Sequence, residues 1–327
     1  MRGASIARLS GEAPLDLALR NGVVAIGNFD GVHRGHQSVL GTAREIAKAE
    51  GKPLICLTFE PHPRTVFHPE NPVPRLTPAP IRAKLLAALG FDAVVEQAFD
   101  KTFAGVEPED FVNTVLVERL GAAHVVAGFD FHYGRRRAGT PQTLIVAGER
   151  HGFGATLVPA MKDGDGETIS SSRIRELLAD GAVAPAAALL GYRWTIGGSV
   201  QEGQRLGRTL GYPTANILLV PDTMLKFGIY AVRLRRADGT LIDGVASFGR
   251  RPTFDNGVAL FETFLFDFSG DLYGETVAIS LFDYLRGEEK FDGAEALIAQ
   301  MDRDCDNARA VLAGAQPLSA LDRTIAF

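Results

Sequence analysis

Two periods of hydrophobicity divide the chain. In its first half, short apolar runs at positions 22–26, 54–59, 93–95, 124–127 and 155–158 are separated by segments with helical spacing. Those segments include 81–89, with Ile81, Leu85, Leu86 and Leu89 on one stripe, then 111–120 and 174–179. Unbroken apolar runs alternating with helices predict an α/β domain whose parallel sheet is buried on both faces. After Leu190-Gly191-Tyr192-Arg193-Trp194 the period becomes two, with runs at 194–200, 228–235, 241–247, 259–266 and 276–285. The turn pairs Asp238-Gly239 and Ser269-Gly270 separate some of these runs, which predicts an antiparallel sheet or small β-barrel. A final amphipathic helix over 293–312, with Ala294, Leu297, Ile298, Met301 and Cys305 as its apolar stripe, is expected to pack on it. The change of period places a domain boundary near 181–185, giving domains 1–184 and 185–327.

Composition narrows the classes of function. A chain of 327 residues with 46% apolar content buries a full core and suits two domains. No segment is long and apolar enough to span a bilayer, and the first residues lack a signal peptide's basic and apolar regions, so a cytoplasmic protein without membrane partners is expected. Cys56 lies in an apolar run and Cys305 in a distant acidic segment, which gives neither a disulfide framework nor a metal cluster. The net charge is −5 and the basic residues form no single face, which argues against nucleic acid as a partner and leaves small phosphorylated ligands; a monomer or weak homo-oligomer is expected. Neither G-x-x-x-x-G-K-[ST] nor G-x-G-x-x-G occurs, which disfavours a Walker-type ATPase and a Rossmann dehydrogenase.

The stretch Gly27-Asn28-Phe29-Asp30-Gly31-Val32-His33-Arg34-Gly35-His36-Gln37 joins the apolar run at 23–26 to a helical face of Val39, Leu40, Ala43, Ile46 and Ala47. Glycines permit the tight turn. A helix beginning there presents free amide donors to an anion, and His33 and His36 add side-chain donors, the outline of a nucleotide site. Two other readings stand beside it: satisfied structural histidines, or half of a metal site. Neither explains the glycines. His33-Arg34-Gly35-His36 resembles the H-x-G-H signature of the nucleotidyltransferase superfamily, and residues 29–37 resemble the prokaryotic bifunctional riboflavin kinase/FMN adenylyltransferase (FAD synthetase) family. The resemblance implies a nucleotidyltransferase-like, Rossmann-like N-terminal domain, with His33 and His36 catalytic and Gly27, Phe29, Asp30, Gly31 and Gly35 at the ATP phosphates.

Three further segments follow strands or open a helix on the same side. Glu60-Pro61-His62-Pro63-Arg64 is stiffened by proline as a loop, and the family resemblance assigns Pro61, His62 and Pro63 to the border of the flavin site. Residues 128–134, Gly-Phe-Asp-Phe-His-Tyr-Gly, precede Arg135, Arg136 and Arg137. Either this is a solvated loop, or Phe129 flanks a flavin ring, Asp130 holds Mg²⁺ or a ribose hydroxyl, and the arginines neutralise phosphate. Tyr133 departs from the phenylalanine common in the family. Ser170-Ser171-Ser172-Arg173-Ile174-Arg175 opens the helix expected from Ile174. Serines there are ordinary caps; the resemblance has Ser170, Ser171 and Ser172 closing over ATP phosphates, with Arg173 or Arg175 stabilising the departing pyrophosphate.

In the second half, residues 203–216 are too glycine-rich for a strand and read as a phosphate-holding loop, although glycines in all-β domains usually serve turns. Gly207-Arg208-Thr209-Leu210-Gly211-Tyr212-Pro213-Thr214-Ala215-Asn216 resembles the riboflavin kinase motif, which implies ATP contacts from Gly203, Arg205, Gly207, Arg208, Gly211 and Pro213 and Mg²⁺ ligation by Thr214 and Asn216. A carboxylate is needed to take the proton of the attacking hydroxyl. Glu262 is the candidate, against the alternative that strand alternation merely turns it to solvent. The string 262–268 followed by Asp271-Leu272-Tyr273-Gly274 resembles the family segment that carries the base, with Tyr273 near the flavin. Residues 244–254 match another kinase segment, with Ser247 where Asn is usual, as Thr263 stands where His is common. Together these imply a riboflavin-kinase-like antiparallel β-barrel with a C-terminal helix, and two ATP-dependent steps: riboflavin to FMN, then FMN to FAD. A chain with only one live site, a flavin-binding regulator without turnover, and a cytidylyl- or pantetheine-type transferase remain as alternatives, the last at odds with the kinase-like half.

Overall fold

The computed structural model describes residues 6–10, 14–202, 211–219, 223–250 and 259–327. They divide into two compact units, Met1–Ser171 and Ser172–Phe327.

The first unit is built on a six-stranded sheet in the order β1-β4-β3-β2-β5-β6. Its strands are β1 (Ala7–Ser10), β2 (Val23–Ile26), β3 (Leu54–Glu60), β4 (Ala93–Ala98), β5 (His124–Gly128) and β6 (Gly154–Val158), every neighbouring pair parallel. All four residues of β2 are buried, as the unbroken apolar run demands of a central strand covered on both faces. Its helices include α1 (Arg34–Glu50), α2 (Pro63–Phe67), α3 (Ala79–Ala88), α4 (Phe111–Arg119, π-helical) and α5 (Pro141–His151). The main core joins Val24, Ile26, Ile55, Leu57, Val95 and Val125 of the sheet to Phe111, Val112, Val115 and Leu116 of α4. From β2 the chain winds outward through β3 to β4, then returns to β5 on the other side. The order therefore reverses between β2 and β5, and ligands of such sheets bind where the loops after those two strands part.

The five predicted strand positions of this unit are all strands, and β1, a short edge strand with exposed residues, is additional. Two local expectations are corrected. Residues 60–64 are not wholly loop, because Pro63 fits the first position of α2 and the Nδ1 of His62 accepts the Arg64 amide at 3.2 Å as its cap. The helix expected from Ile174 begins at Ser171, so Ser171 and Ser172 lie inside the first turn of α6 (Ser171–Ala179).

The second unit continues with α7 (Val183–Leu190) and a closed six-stranded barrel ordered β10-β11-β8-β7-β12-β9. These strands are β7 (Thr195–Gln201), β8 (Thr214–Leu218), β9 (Gly228–Arg235), β10 (Leu241–Arg250), β11 (Ala259–Leu265) and β12 (Thr276–Arg286). Closure leaves no free strand edge. Residues 214–216, expected in a loop, form the first half of β8, because the glycines end at Gly211 and Pro213 precedes the ladder. Helices α8 (Ala294–Ala313) and α9 (Ala320–Ala326) follow. Helix α8 appears where expected but on a different face: Asp304, Ala308 and Leu312 are buried, Ala294 is exposed, and Leu297, Ile298, Met301 and Cys305 are half-buried. The Arg286 guanidinium, which donates to Asp304 from Nε at 2.9 Å and from Nη2 at 2.7 Å, makes burial of that carboxylate tolerable.

Candidate active sites

The strand-to-helix junction after β2 forms a compact cap on α1. His33 is the N-cap residue, and its Nδ1 accepts the His36 backbone N–H at 3.2 Å. With Nδ1 accepting, the proton of the neutral ring resides on Nε2 and makes that nitrogen a donor. The two imidazoles stack, centroids 3.6 Å apart and planes 16° from parallel. His33 is buried, 5% exposed, and His36 half-buried. Gly35 is what allows the stack, because a Cβ there would meet His33 Cε1 at 3.1 Å and Nδ1 at 3.2 Å. Gly27 serves Phe29 similarly: a Cβ would lie 3.1 Å from the phenyl ring, which is buried and meets His36 edge-on at 5.4 Å.

The motif residues thus divide between two tasks. Phe29 and Asp30 are buried. The Asp30 carboxylate accepts the amides of Leu76 at 3.2 Å and Thr77 at 3.0 Å, while Gly31 N donates to Thr77 Oγ1 at 2.8 Å. A buried carboxylate spent on backbone amides fixes loops; it does not attract an anion. Gly31, at φ 87°, takes the left-handed turn that brings the chain into α1. Ser171 Oγ donates to Asp30 O at 2.8 Å, tying the start of α6 to this loop. Ser170 is half-buried and Ser172 exposed, and Arg173 and Arg175, both half-buried, lie further along α6 in the second unit.

The loops after β3 and β5 leave the same carboxyl edge of the sheet. Pro61 is exposed, with a cis Glu60–Pro61 peptide, and His62 and Pro63 are half-buried at the start of α2. After β5, Phe129 N donates to Val158 O at 2.9 Å, leaving the Phe129 ring 52% exposed and Asp130 exposed beside it. An exposed aromatic at the point where strand order reverses is a surface for a flat ligand. Tyr133 is buried instead, stacked on Phe131 at 5.8 Å with its hydroxyl 3.2 Å from Thr143 Oγ1; that partner satisfies the oxygen a tyrosine brings where phenylalanine is usual.

On the barrel, register gathers the second set. Glu262 of β11 lies directly opposite Asn216 of β8 and Ser247 of β10. Directly opposite residues share a face, and Thr214, two residues from Asn216, shares it too. Along β11, Phe261, Thr263 and Leu265 are buried while Leu260, Glu262 and Phe264 are half-exposed, so Glu262 belongs to the outward set. Asn216 is only 5% exposed, and among the described residues its Oδ1 accepts no hydrogen bond. A buried, unsatisfied amide oxygen costs stability unless a ligand completes it. Tyr212, just before the exposed Pro213, packs its ring against Phe264 at 4.9 Å and donates its hydroxyl to Asp302 of α8. That hydrogen bond pushes the phenol up to about 12. Gly211 is exposed at φ 89°, and Tyr273, half-buried between β11 and β12, donates its amide to Asp271 Oδ1 at 2.8 Å. Gly203, Arg205, Gly207 and Arg208 lie outside the described residues, as do positions 251–254 of the other kinase-like segment.

The FAD synthetase family model matches residues 16–173, and the riboflavin kinase family model matches residues 190–312. The bifunctional riboflavin kinase/FMN adenylyltransferase of Listeria monocytogenes is 39% identical over 296 residues, covering 90% of this chain and 93% of the relative. The chain belongs to the bifunctional riboflavin kinase/FMN adenylyltransferase family. The Escherichia coli K12 member is 36% identical over 282 residues, covering 86% of this chain and 90% of its own. A crystal structure from Streptococcus pneumoniae described as a macrolide-efflux protein superposes with a TM-score of 0.82 at 31% identity, over 93% of this chain and 99% of that one. Among the described residues no helix of this family member is long and apolar enough to cross a membrane.

Arg75 and Thr77, which meet Asp30 and Gly31 of the loop after β2, are residues that sequence reasoning did not single out. Nothing in the hydrophobic pattern marks them, since they lie in a non-repetitive link between α2 and α3.

Proposed function

We propose that the two reactions of this flavin-cofactor enzyme, phosphorylation of riboflavin to FMN and adenylylation of FMN to FAD, are carried by separate sites divided at about residue 184, the first on residues 185–327 and the second on residues 1–184. The observation that carries the division is that the riboflavin kinase match falls within one compact unit and the FAD synthetase match almost wholly within the other.

In the kinase step, the Glu262 carboxylate accepts the proton of the ribityl 5′-hydroxyl as that oxygen attacks the γ-phosphorus of ATP. The bond from γ-phosphorus to the bridging oxygen breaks, and ADP leaves. Thr214 and Asn216 supply hydroxyl and amide oxygens on the face of Glu262, and the unsatisfied Asn216 Oδ1 fits the hard oxygen donor that Mg²⁺ selects. Bound there, Mg²⁺ would neutralise charge on the ATP phosphates. Gly211 and Pro213, with Gly203, Arg205, Gly207 and Arg208, border the phosphates, and Tyr273 the flavin.

In the adenylylation step, a phosphate oxygen of FMN attacks the α-phosphorus of a second ATP and pyrophosphate departs. His33 Nε2–H, His36, the amides of Gly31 and Gly35, and Ser170, Ser171 and Ser172 offer donors to the developing charge, with Arg173 or Arg175 on the pyrophosphate. Gly27, Phe29 and Asp30 shape that loop from beneath. Phe129, Asp130, Pro61, His62 and Pro63 line the flavin side. No protein nucleophile is required, because orientation and fixed dipoles supply the acceleration. The enzyme works in the cytoplasm, where ATP is made, on small molecules alone, as a monomer or weak homo-oligomer without nucleic acid.

A chromatographic time course with riboflavin, ATP and Mg²⁺, beside a sample begun from FMN, tests the proposal. Riboflavin converted to FMN and then FAD is expected. FMN that accumulates refutes the N-terminal assignment, FAD from the FMN sample alone refutes the barrel assignment, and flavin bound without ATP consumption makes the protein a regulator.

A further inference from the structure

Behind the loops that follow β2 and β3 lies a cluster of two arginines and two carboxylates, in which Asp30 and Arg82 are buried and Glu60 and Arg75 half-buried. Arg75 Nη2 donates to Glu60 Oε1 at 2.5 Å, and Arg75 Nε stands 3.9 Å from Asp30 Oδ1. Arg82 of α3, with no exposed side-chain surface, donates its Nη2 to the same Glu60 oxygen at 2.6 Å. Asp30 belongs to the loop that ends at His33, and Glu60 immediately precedes Pro61 and His62. The segment carrying Arg75 is pinned on both sides, by Val73 N to Thr65 Oγ1 at 3.0 Å and by the Leu76 and Thr77 amides on Asp30. One guanidinium therefore spans two loops that leave different strands of the sheet.

The cluster is poorly composed for stability alone. Among the described residues, Nε and Nη1 of both Arg75 and Arg82 are buried without a hydrogen-bond acceptor. Unsatisfied buried guanidinium hydrogens cost free energy that an apolar contact of the same shape would not. What the arrangement provides is geometry, because a planar fork fixes the carboxylates it meets in a way a flexible ammonium does not.

We propose that Arg75 is a positioning residue for FMN adenylylation, holding the loop after β2, which faces ATP, and the loop after β3, which faces the flavin, at the separation the two substrates need. The inference rests on the assignment of adenylylation to these loops. Arg82 supports Glu60 from the far side, whereas only Arg75 reaches both carboxylates.

Steady-state FMN adenylylation by the full-length chain decides it, with KM for FMN, KM for ATP and kcat measured separately and riboflavin phosphorylation followed in the same samples. Arg75→Met, of similar length without charge or fork, is expected to raise KM for FMN about tenfold while riboflavin phosphorylation stays within about twofold. Arg75→Lys, which restores the charge but not the fork, is expected to fall between Met and the parent. A purely structural role would lower the number of folded molecules, reducing apparent kcat and leaving KM unchanged. A KM for FMN within about twofold of the parent in the Met variant thus overturns the proposal, whatever happens to kcat. If that variant does not fold, the Lys variant is judged by the same criterion. A parent enzyme that makes no FAD from FMN overturns the site assignment itself, before any variant is compared.

Discussion

Replacing Gly35 by alanine separates site geometry from stability more sharply than replacing a histidine, because it removes no functional atom. Gly35 is the second residue of α1 and has no left-handed φ, so alanine fits its backbone and gains roughly 0.5–1 kcal/mol of helix propensity. The added Cβ would lie 3.1 Å and 3.2 Å from two ring atoms of His33. Carbon contacts settle at about 3.5 Å or more, so the imidazole must retreat by roughly 0.4 Å. It has little room to do so, since it is buried, stacked on His36 at 3.6 Å and held by the His36 amide at 3.2 Å. Misplacement by about 1 Å costs on the order of a hundredfold in rate, so a shift of this size should cost about tenfold, or roughly 1.4 kcal/mol of transition-state stabilisation. The expected result for Gly35→Ala is FAD formation from FMN about tenfold slower, with an unfolding midpoint equal to or above the parent's and riboflavin phosphorylation unchanged. Initial rates from both flavins, beside a thermal melt, measure all three. FAD formation at the parental rate in a folded variant would refute the claim that the glycine exists to seat His33.

Glu262→Gln keeps the shape of the barrel site but cannot take up a proton; riboflavin phosphorylation should fall on the order of 10²–10⁴-fold while FMN adenylylation stays within about twofold, and equal loss of both would sink the two-site division. Asn216→Ala removes the unsatisfied oxygen opposite Glu262, so the Mg²⁺ concentration for half-maximal kinase activity should rise about tenfold, the equivalent of roughly 1.4 kcal/mol, against no change if Asn216 is structural. Partial burial holds the imidazole of His124 below its ordinary value, and its Nε2 meets Thr156 Oγ1 at 2.8 Å. A depressed folded pKa gives stability that is present above about 6.5 and lost as pH falls through the folded value, so the melting temperature of His124→Gln should decline less than the parent's between about pH 7 and about pH 5; parallel declines would exclude His124 as the cause.

The fold was legible where one physical pattern dominated a whole element. The runs at β2 and β3 are apolar because both faces are covered, and β11 of the barrel alternates because only one face is. The pattern was weakest where an element owes its existence to partners distant in sequence. Strand β1 has mostly exposed residues and forms because β4 offers an edge, with Ala7 opposite Ala93. Residues 214–216 looked like the end of a glycine-rich loop, and become strand because β11 and β7 flank β8. On α8 the apolar residues suggested one stripe, yet the buried face includes Asp304, since Arg286 arrives from β12 to satisfy it. No local window contains that arginine.

The candidate sites show the same division at finer scale. Sequence brought His33, Gly35 and His36 together because they are neighbours on one helical turn, and the spacing itself encodes the stacked pair. It could not show which motif side chains are buried against the protein. Asp30 stands three residues from His33 and looks equally available, but its carboxylate is buried against the Leu76 and Thr77 amides more than forty positions away. On the barrel the converse holds. Asn216 and Glu262 are far apart in sequence, and neither composition nor period relates them; the antiparallel register sets them directly opposite, and a slip of one residue would turn Glu262 into the core and Thr263 outward. The buried Phe261 and Leu265 of β11 therefore do more than fill the barrel: their preference for the interior fixes the face on which the Glu262 carboxylate emerges.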